Sequence, residues 1–428
     1  MNQITKELKT AEELTQILQN GSSGVFDAIW AWLFCEPPKP SSITAAELED
    51  LSELQKMWCA TAQSAQELGT DGFFVENLYH PKPTLTKAKV TSPFSITTFE
   101  EICDELLSFQ ENILWSTEQH TKIKERARKI PGFFRFSSWI LETRLNDESH
   151  VDLAFNLGPL FRNETPISRA FTPDDLQEQK RWQKKYTTQR QPDQALVPGW
   201  IEIDATDFSY EGPEENLFLN IHPRTEPNDI LEYLQSTYST HDWNNVWPPI
   251  AHFIANLPPQ ADFMQLGIMQ RRNHVLKTVA FNFKSNEITG FLDAISWQGN
   301  KVLLQNVSLT LAQYPEFSFA LSVDFEGSVQ PTIGIEVHFF PMDSKDQFNQ
   351  PRLFQELVQK RFARLLHFLQ APIFANIVNK NKLESLSRYP RIQIGQPFFL
   401  YASTISHLKI TVGDTLNVKA YIYQDLRI

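Results

Sequence analysis

The sequence has 428 residues, of which 41% are hydrophobic and 21% are charged, so its composition is that of a globular protein. Its 39 lysine and arginine residues are outnumbered by 51 aspartate and glutamate residues, and the net charge of −12 argues against nucleic acid and anionic lipid as partners. No apolar run is long enough to span a membrane. The three cysteines lack the spacing of a disulfide framework or a zinc site. These features predict a cytoplasmic protein.

Motifs of the commonest nucleotide, zinc and redox sites are missing from the sequence, which has no GxGxxG, P-loop, HExxH or CxxC. The segment TPDDLQEQ at residues 172–179 contains two adjacent aspartates. Thr172 followed by Pro173 and acidic residues is typical of a helix N-terminus. The DDxxD pattern with which helical isoprenoid synthases hold magnesium is also missing. The sequence therefore does not support the commonest nucleotide, zinc and redox sites, and the two aspartates are interpreted as part of a helix N-terminus.

The first part of the chain, residues 1–97, contains one clear helical pattern. The segment FDAIWAWLFCEPPKP at residues 26–40 has large apolar residues at helical spacing and ends at two prolines. We predict that residues 1–97 form a helical N-terminal extension packed on a second domain at residues 98–428. The same helix is also compatible with a lid, or with a docking site for a peptide substrate.

The second domain begins with a helical stretch at 98–128 and then alternates between two kinds of periodicity. Strand-like runs occur in pairs joined by turns, which is typical of β-hairpins. We predict five hairpins, at 133–142 with 150–157, 199–208 with 216–223, 263–270 with 277–283, 317–325 with 332–340, and 407–412 with 415–424. Between them lie segments of helical periodicity at 172–188, 226–238, 243–256, 286–298, 301–313, 346–370 and 379–388.

This order is a helix, helix, strand, strand unit repeated five times over residues 98–425. Consecutive antiparallel hairpins can close on themselves and so remove their open edges. We therefore predict an α+β fold in which a ten-stranded antiparallel β-barrel is surrounded by helices. One face of the predicted strands is apolar, with Ile201, Ile203, Leu217, Leu219, Ile221, Ile333, Ile335, Val337, Leu408, Ile410 and Val412. That face is expected to meet the helices.

The opposite strand face is polar and is expected to line the barrel lumen. It carries Asp152, Asn156, Glu202, Asp204, Asn220, His222, Ser318, Ser322, Asp324, Glu336, His338, His407, Lys409, Thr411, Lys419, Tyr421 and Tyr423. In the third hairpin the alternation assigns Thr278, Ala280 and Asn282 to the lumen and Lys277 to the apolar face. The alternative is that the polar residues form the solvent face of a half-exposed sheet.

The element order and strand facing resemble those of the aromatic prenyltransferases of the ABBA, or PT-barrel, fold. The resemblance covers residues 98–425 and includes no diagnostic linear motif. It implies an enzyme that transfers an allylic prenyl group from a diphosphate to an aromatic small molecule or a peptide. In that family the prenyl diphosphate lies inside the barrel beneath basic and tyrosine side chains, and an acidic residue assists deprotonation of the acceptor.

Mapped onto this sequence, the resemblance implies diphosphate binding by His407, Lys409, Lys419, Tyr421 and Tyr423, with Arg271 reaching in from a turn. Ammonium and phenol donors stabilise the negative charge that develops on a departing diphosphate, and aromatic faces stabilise an allylic cation. The alternatives for these residues are an exposed strand face or a salt-bridged one.

The predicted catalytic carboxylates are Glu202, Asp204 and Glu336. In a partly desolvated lumen a carboxylate has a raised proton affinity and can accept the acceptor's proton. They are equally compatible with solvated charges or with salt bridges to the lysines. Because the lumen is so acidic, either Mg²⁺ mediates diphosphate binding or the barrel does not use diphosphate. Two other functions therefore stay open, a non-catalytic binding or accessory protein and an acid/base isomerase or cyclase.

Overall fold

The structure of the protein is a computed structural model. It describes residues 72–76, 84–86, 98–101, 103, 114–132, 134, 138–146, 150–157, 173–187, 196–204, 216–222, 225–238, 242–269, 275–339, 363–386, 391–395 and 399–427.

All strands of the described residues belong to one antiparallel sheet. Its strands are β1 (Gly72–Glu76), β2 (Thr84–Thr86), β3 (Trp139–Arg144), β4 (Val151–Asn156), β5 (Leu196–Asp204), β6 (Asn216–Ile221), β7 (Asp262–Met269), β8 (Val275–Phe283), β9 (Ser318–Phe325), β10 (Val329–His338), β11 (Arg391–Gly395), β12 (Phe399–Val412) and β13 (Leu416–Arg427). The hairpins are β3–β4, β5–β6, β7–β8, β9–β10 and β12–β13. All five predicted hairpins are confirmed.

Two further strand pairings close the sheet into a barrel. Strand β13 pairs with β3, and β10 pairs with the second half of β12. With the pairings β4–β5, β6–β7 and β8–β9, these contacts give a closed ring of ten antiparallel strands. A closed ring leaves no unpaired strand edge along the barrel, which removes the usual site of edge-to-edge aggregation. The predicted fold is therefore confirmed, and with it the architecture that the resemblance implied.

A short sheet extends the barrel on one side. The first half of β12 pairs with β11 instead of β10, and β11 pairs in turn with β1 and β2. Strands β1 and β2 are the part of residues 1–97 that the structure describes, and the sequence interpretation did not include them. The predicted helix at residues 26–40 lies outside the described residues, so the proposed division at residue 97 stays a prediction.

The helices are α1 (Thr117–Ala127), α2 (Pro173–Thr187), α3 (Pro227–Thr237), α4 (Trp243–Ala255), α5 (Ile288–Ala294), α6 (Lys301–Leu311) and α7 (Lys380–Leu386). Residues 363–369 are helical as well, within the predicted segment 346–370. The predicted stretch 98–128 is not one continuous helix, because Ser116 starts α1 with a capping box to Gln119. In the described part of the chain, no helix is long and apolar enough to cross a membrane.

The main hydrophobic core lies between the helices and the outer face of the barrel. Phe253 of α4 packs edge-on against Phe291 of α5 and Phe325 of β9, with ring centroids 5.1 and 5.8 Å apart. The predicted apolar strand face belongs to this core, where Ile201, Ile335 and the other members of the row except the partly buried Ile203 are buried. Burying this face fixes the register of each strand, because a slip by one residue would turn it into the lumen.

The facing predicted for the third hairpin is wrong. Lys277 pairs with Asp324 across β8–β9, and its Nζ lies 3.7 Å from the Asp324 carboxylate, on the lumen face. Thr278 and Ala280 are fully buried on the outer face instead. Both faces of β8 carry apolar residues, so its alternation is ambiguous, and the strand is irregular at Asn282, which has a φ of 65°.

Candidate functional site in the barrel lumen

Two lysines face each other on the lumen side of the last hairpin. Lys409 of β12 and Lys419 of β13 are directly opposite residues in the antiparallel register. On the far side of β12, Glu336 of β10 is opposite Lys409, and on the far side of β13, Arg144 of β3 is opposite Lys419. Side chains opposite one another on one sheet face lie about 5 Å apart at their Cβ atoms. One level of the barrel therefore carries three cations and one carboxylate on four adjacent strands.

Each lysine is neutralised by a buried carboxylate. Lys409 Nζ donates a hydrogen bond of 3.1 Å to Glu336 Oε1, and Lys419 Nζ donates to Glu142 of β3. Burial alone would raise the pKa of both carboxyl groups, but the lysine ammonium groups outweigh it and hold the pKa of Glu142 and Glu336 well below the usual range. Glu142 also interacts with the Tyr421 hydroxyl.

A glycine on β10 makes room for one of these lysines. A Cβ atom added at Gly334 would overlap Lys409 Cε and Ser322 Oγ. The Lys409 side chain therefore runs across the Cα of Gly334 on its way to Glu336. A larger residue at position 334 would displace the ammonium group. Glycine is therefore required here because the Lys409 side chain approaches its Cα closely, and not because of an unusual backbone angle.

A column of stacked rings adjoins the lysines. His407 of β12 lies between Tyr421, at a ring centroid distance of 4.1 Å, and His338 of β10, at 4.7 Å. Phe281 of β8 continues the column 5.3 Å from His338. Burial lowers the pKa of His407 to about 3, so its imidazole is neutral at physiological pH although Glu336 opposes the shift.

Polar contacts around the two histidines leave the buried His338 Nε2 without a hydrogen bond to the described chain. Ser406 Oγ lies 3.0 Å from His407 Nδ1, and His407 Nε2 lies 3.9 Å from Glu336 Oε2. His338 Nε2 is buried, 3.6 Å from the same carboxylate oxygen, and makes no hydrogen bond to any part of the described chain. The neutral His407 imidazole, stacked on a second histidine beside a carboxylate and a lysine, can still accept a proton.

The lumen is acidic on the neighbouring strands β3, β4 and β5. Asp152 of β4 is opposite Glu142 and is buried, with its carboxylate 3.1 Å from His150 Nε2. Burial raises the pKa of Asp152 to about 7, and Glu142 and Glu202 add to the increase while His150 opposes it. Glu202 accepts a hydrogen bond of 3.0 Å from the Asn216 amide. This side of the lumen therefore offers acceptors for a proton or a hydrogen-bond donor.

The strands opposite β12 and β13 give the lumen a more apolar wall. Phe218 of β6 lies over Gly267 of β7, where an added Cβ would come within 2.8 Å of its ring. Val279 is buried on the lumen face of β8, next to Lys277 and Phe281. Ion-paired lysines, further carboxylates and apolar side chains thus predominate in different parts of one closed interior.

The structure brings together most of the predicted site residues. His407, Lys409, Lys419 and Tyr421 are neighbours, and Glu336 joins them through the β10–β12 pairing. The alternative that these residues form an exposed strand face is therefore excluded. The alternative that they form salt bridges is observed for the two lysines.

Four predicted residues lie outside this cluster, the first being Glu202 of β5. Tyr423 lies two residues beyond Tyr421 on the same face of β13, opposite Thr404 of β12 and Ile140 of β3. Asp204 is opposite Asp152 in the β4–β5 register. Arg271 lies outside the described residues.

Sequence reasoning missed three residues of the site. Glu142 and Arg144 were not recognised because the first hairpin was placed too early in the chain, although WILETR alternates between apolar and polar residues. Gly334 was missed because a glycine within a strand can indicate either a bulge or the close approach of another group, and the sequence alone does not distinguish the two. In the described chain, no group of three or more His, Cys, Asp or Glu residues is arranged to hold a metal ion. A magnesium ion would need diphosphate oxygens among its ligands.

No model of a known protein family matches the sequence, and no curated protein matches it either. Several solved structures do. A 5-dimethylallyltryptophan synthase from Streptomyces coelicolor matches with 10% identity and a TM-score of 0.39, covering 77% of this chain and 97% of its own. A 6-dimethylallyltryptophan synthase from Micromonospora olivasterospora matches with 12% identity and a TM-score of 0.36, covering 75% and 96%. The prenyltransferase PriB matches with 11% identity and a TM-score of 0.40, covering 76% and 96%. These values are too low to indicate the activity of this chain.

Proposed function

We propose that this protein transfers an allylic prenyl group from a diphosphate to an aromatic or peptide acceptor inside the barrel. One observation carries the proposal. Lys409 and Lys419 face each other inside a closed barrel, next to Tyr421 and His407. A cluster of two ammonium groups and a phenol matches the charge and the hydrogen-bonding needs of a diphosphate.

The cluster assists the chemistry by stabilising the leaving group. As the bond between the prenyl carbon and the diphosphate oxygen breaks, its electron pair stays with the diphosphate. Lys409, Lys419 and the Tyr421 hydroxyl donate hydrogen bonds to the growing negative charge. The face of the Tyr421 ring that does not stack on His407 is proposed to stabilise the allylic cation. The apolar sector around Phe218 and Val279 suits the hydrocarbon chain.

The acidic sector receives the acceptor in this proposal. When an aromatic carbon or heteroatom attacks the cation, the new bond forms and the acceptor loses a proton. Glu202 and Asp204 on β5 are the proposed proton acceptors. Glu336 loses its ion-pair partner when Lys409 turns to the diphosphate, and it is then a buried carboxylate with a raised proton affinity. Because the acidic strands β3 to β5 adjoin β13, the two reactants would meet next to Lys419.

The salt bridges favour a second candidate. Since Glu336 and Glu142 already neutralise both lysines, the same cluster also suits a non-catalytic binding or accessory protein whose lumen charges stabilise the barrel. Such a protein would bind an acidic small molecule or peptide without converting it.

Product formation separates the two candidates. The protein is incubated with dimethylallyl, geranyl or farnesyl diphosphate and with tryptophan, tyrosine or a peptide that contains them, with and without Mg²⁺, and products are followed by mass spectrometry. A prenylated acceptor that disappears in Lys419→Ala supports prenyl transfer. Binding of the diphosphate with no product for any acceptor would support the accessory role instead.

A further inference from the structure

We propose that a prenyl diphosphate binds in the lumen together with protons, which are taken up by a cluster formed by Glu336, His338 and His407. The inference rests on the proposed function, because it concerns how the same site accommodates its diphosphate. It follows from a mismatch between the charge of the empty cluster and the charge of the ligand.

The lysines that would receive the diphosphate carry no excess positive charge. Lys409 is paired with Glu336, and Lys419 is paired with Glu142, so two cations and two carboxylates cancel. Arg144, which is opposite Lys419, adds one positive charge. A prenyl diphosphate brings about three negative charges at neutral pH, since a terminal phosphate ionises near pH 6. If nothing else changed, the buried site would hold a large net negative charge, which a low-dielectric interior strongly disfavours.

Residues next to Lys409 can remove this imbalance by accepting protons. The His407 ring lies 4.7 Å from the His338 ring, and both histidines adjoin Glu336. The neutral state of His407 is enforced by burial, and the neighbouring His338 and Lys409 act in the same direction. A diphosphate on Lys409 would replace that environment with a strongly anionic one, which favours the imidazolium form.

Glu336 responds to the ligand in the same direction. Its carboxylate is ionised in the empty site because Lys409 donates to it. When that ammonium turns to a diphosphate, the carboxylate is left buried beside an anion, and protonation becomes favourable. The groups that face the cluster from the adjoining strands are Lys409, Lys419, Tyr421, Glu142 and Arg144. Glu202 of β5 also acts on Tyr421. Tyr421 is held in its protonated form by burial and by Glu142, so it does not supply the proton.

Isothermal titration calorimetry counts these protons directly. The unreactive analogue dimethylallyl thiodiphosphate is titrated into the full-length protein at about pH 8, where the ligand itself is fully ionised. Titrations in Tris and in HEPES, which differ in ionisation enthalpy, give the number of protons taken up per ligand. We expect close to one proton or more. The dissociation constant should also rise about tenfold per pH unit for each linked proton.

Variants then assign the proton to the cluster. In the double variant Glu336→Gln with His407→Gln, uptake should fall by more than half, whereas His222→Gln, an exposed histidine at the end of β6, should keep it. Circular dichroism checks that each variant is folded, and the wild-type pH dependence provides a test that needs no variant.

Each outcome has a separate meaning. Binding that is independent of buffer and pH would overturn proton uptake while leaving prenyl transfer intact. Uptake that persists in the double variant would overturn its assignment to these residues. Absence of binding at any pH would overturn the proposed function and this inference together.

Discussion

Lys409 donates a hydrogen bond of 3.1 Å to Glu336 across the β10–β12 seam, one of the two contacts that close the barrel. The seam joins strands separated by more than 60 residues of sequence. A buried ion pair at this position has two consequences. It contributes to the pairing of β10 with β12, and it holds in the lumen a lysine that can exchange its carboxylate partner for an anionic ligand.

Removing one partner of this ion pair should destabilise the protein. Lys409→Met leaves the Glu336 carboxylate buried without its cation, and we expect a loss of about 3 to 5 kcal/mol in the free energy of unfolding, measured in urea. The double variant Lys409→Met with Glu336→Gln should recover much of it. Lys301→Met, which breaks an exposed pair with Asp293, should cost about 1 kcal/mol or less. Equal losses in the two lysine variants would show that the seam pair is not important for stability.

A methyl group at position 334 should disturb ligand binding by displacing Lys409. In Gly334→Ala the added Cβ overlaps the lysine side chain, so thiodiphosphate binding should weaken by about tenfold or more. The matched control is Gly290→Ala on α5, where an added Cβ meets no atom within 4 Å. Unchanged affinity in Gly334→Ala would mean that Lys409 reaches the ligand by another route.

The Tyr421 hydroxyl should affect the rate more than the affinity. Tyr421→Phe keeps the ring that stacks on His407 but removes the donor to the departing diphosphate. We expect a lower kcat with a smaller change in thiodiphosphate affinity, because the hydrogen bond strengthens as charge develops. Steady-state kinetics with a prenyl diphosphate measures both effects. A variant with wild-type kcat would remove the phenol from the mechanism.

The acidic sector should be needed for turnover if its carboxylates accept the proton of the acceptor. Glu202→Gln and Asp204→Asn preserve size but remove the base, and at least one should lower kcat by roughly 10² to 10⁴. Thiodiphosphate affinity serves as the control, because the proposal assigns both carboxylates to the acceptor and not to the diphosphate. Near-normal turnover in both variants would assign the carboxylates a structural role.

Asp152 should make the stability of the protein depend on pH. Its pKa of about 7 in the folded protein exceeds the value of about 4 for an exposed aspartate. The folded state therefore binds more protons between these values, and stability should fall as pH rises from about 4 to about 7. Asp152→Asn should reduce this fall, whereas Asp293→Asn on the exposed surface of α5 should not. Unfolding in urea at several pH values provides the measurement.

The barrel was predictable because strand alternation and turn residues are local properties of the sequence. The last hairpin shows this well, since Val418, Ala420 and Ile422 are buried on one face while Lys419 and Tyr421 face the lumen. Strand β8 shows the limit, because apolar residues on both faces left its facing to be decided by contacts with β9.

The partners of the lysines were not predictable in the same way. The Glu142–Lys419 contact joins the first and last strands of the barrel, 277 residues apart in the sequence. Periodicity assigns each residue to a face but does not determine which strands become neighbours at closure. The two salt bridges, and the cancellation of the lysine charges by Glu142 and Glu336, are therefore apparent only in the folded barrel.

The dissociation constant of dimethylallyl thiodiphosphate tests the central claim most directly. Titration calorimetry compares the wild type with Lys419→Ala, with Lys419→Ala plus Glu142→Gln, which avoids an unpaired buried carboxylate, and with the exposed control Lys301→Ala. We expect the wild type and the control to bind alike, and both Lys419 variants to bind more weakly by about 1.5 to 3 kcal/mol, roughly tenfold to more than a hundredfold. Equal affinity in all four folded proteins would contradict a diphosphate site on the lysines of β12 and β13.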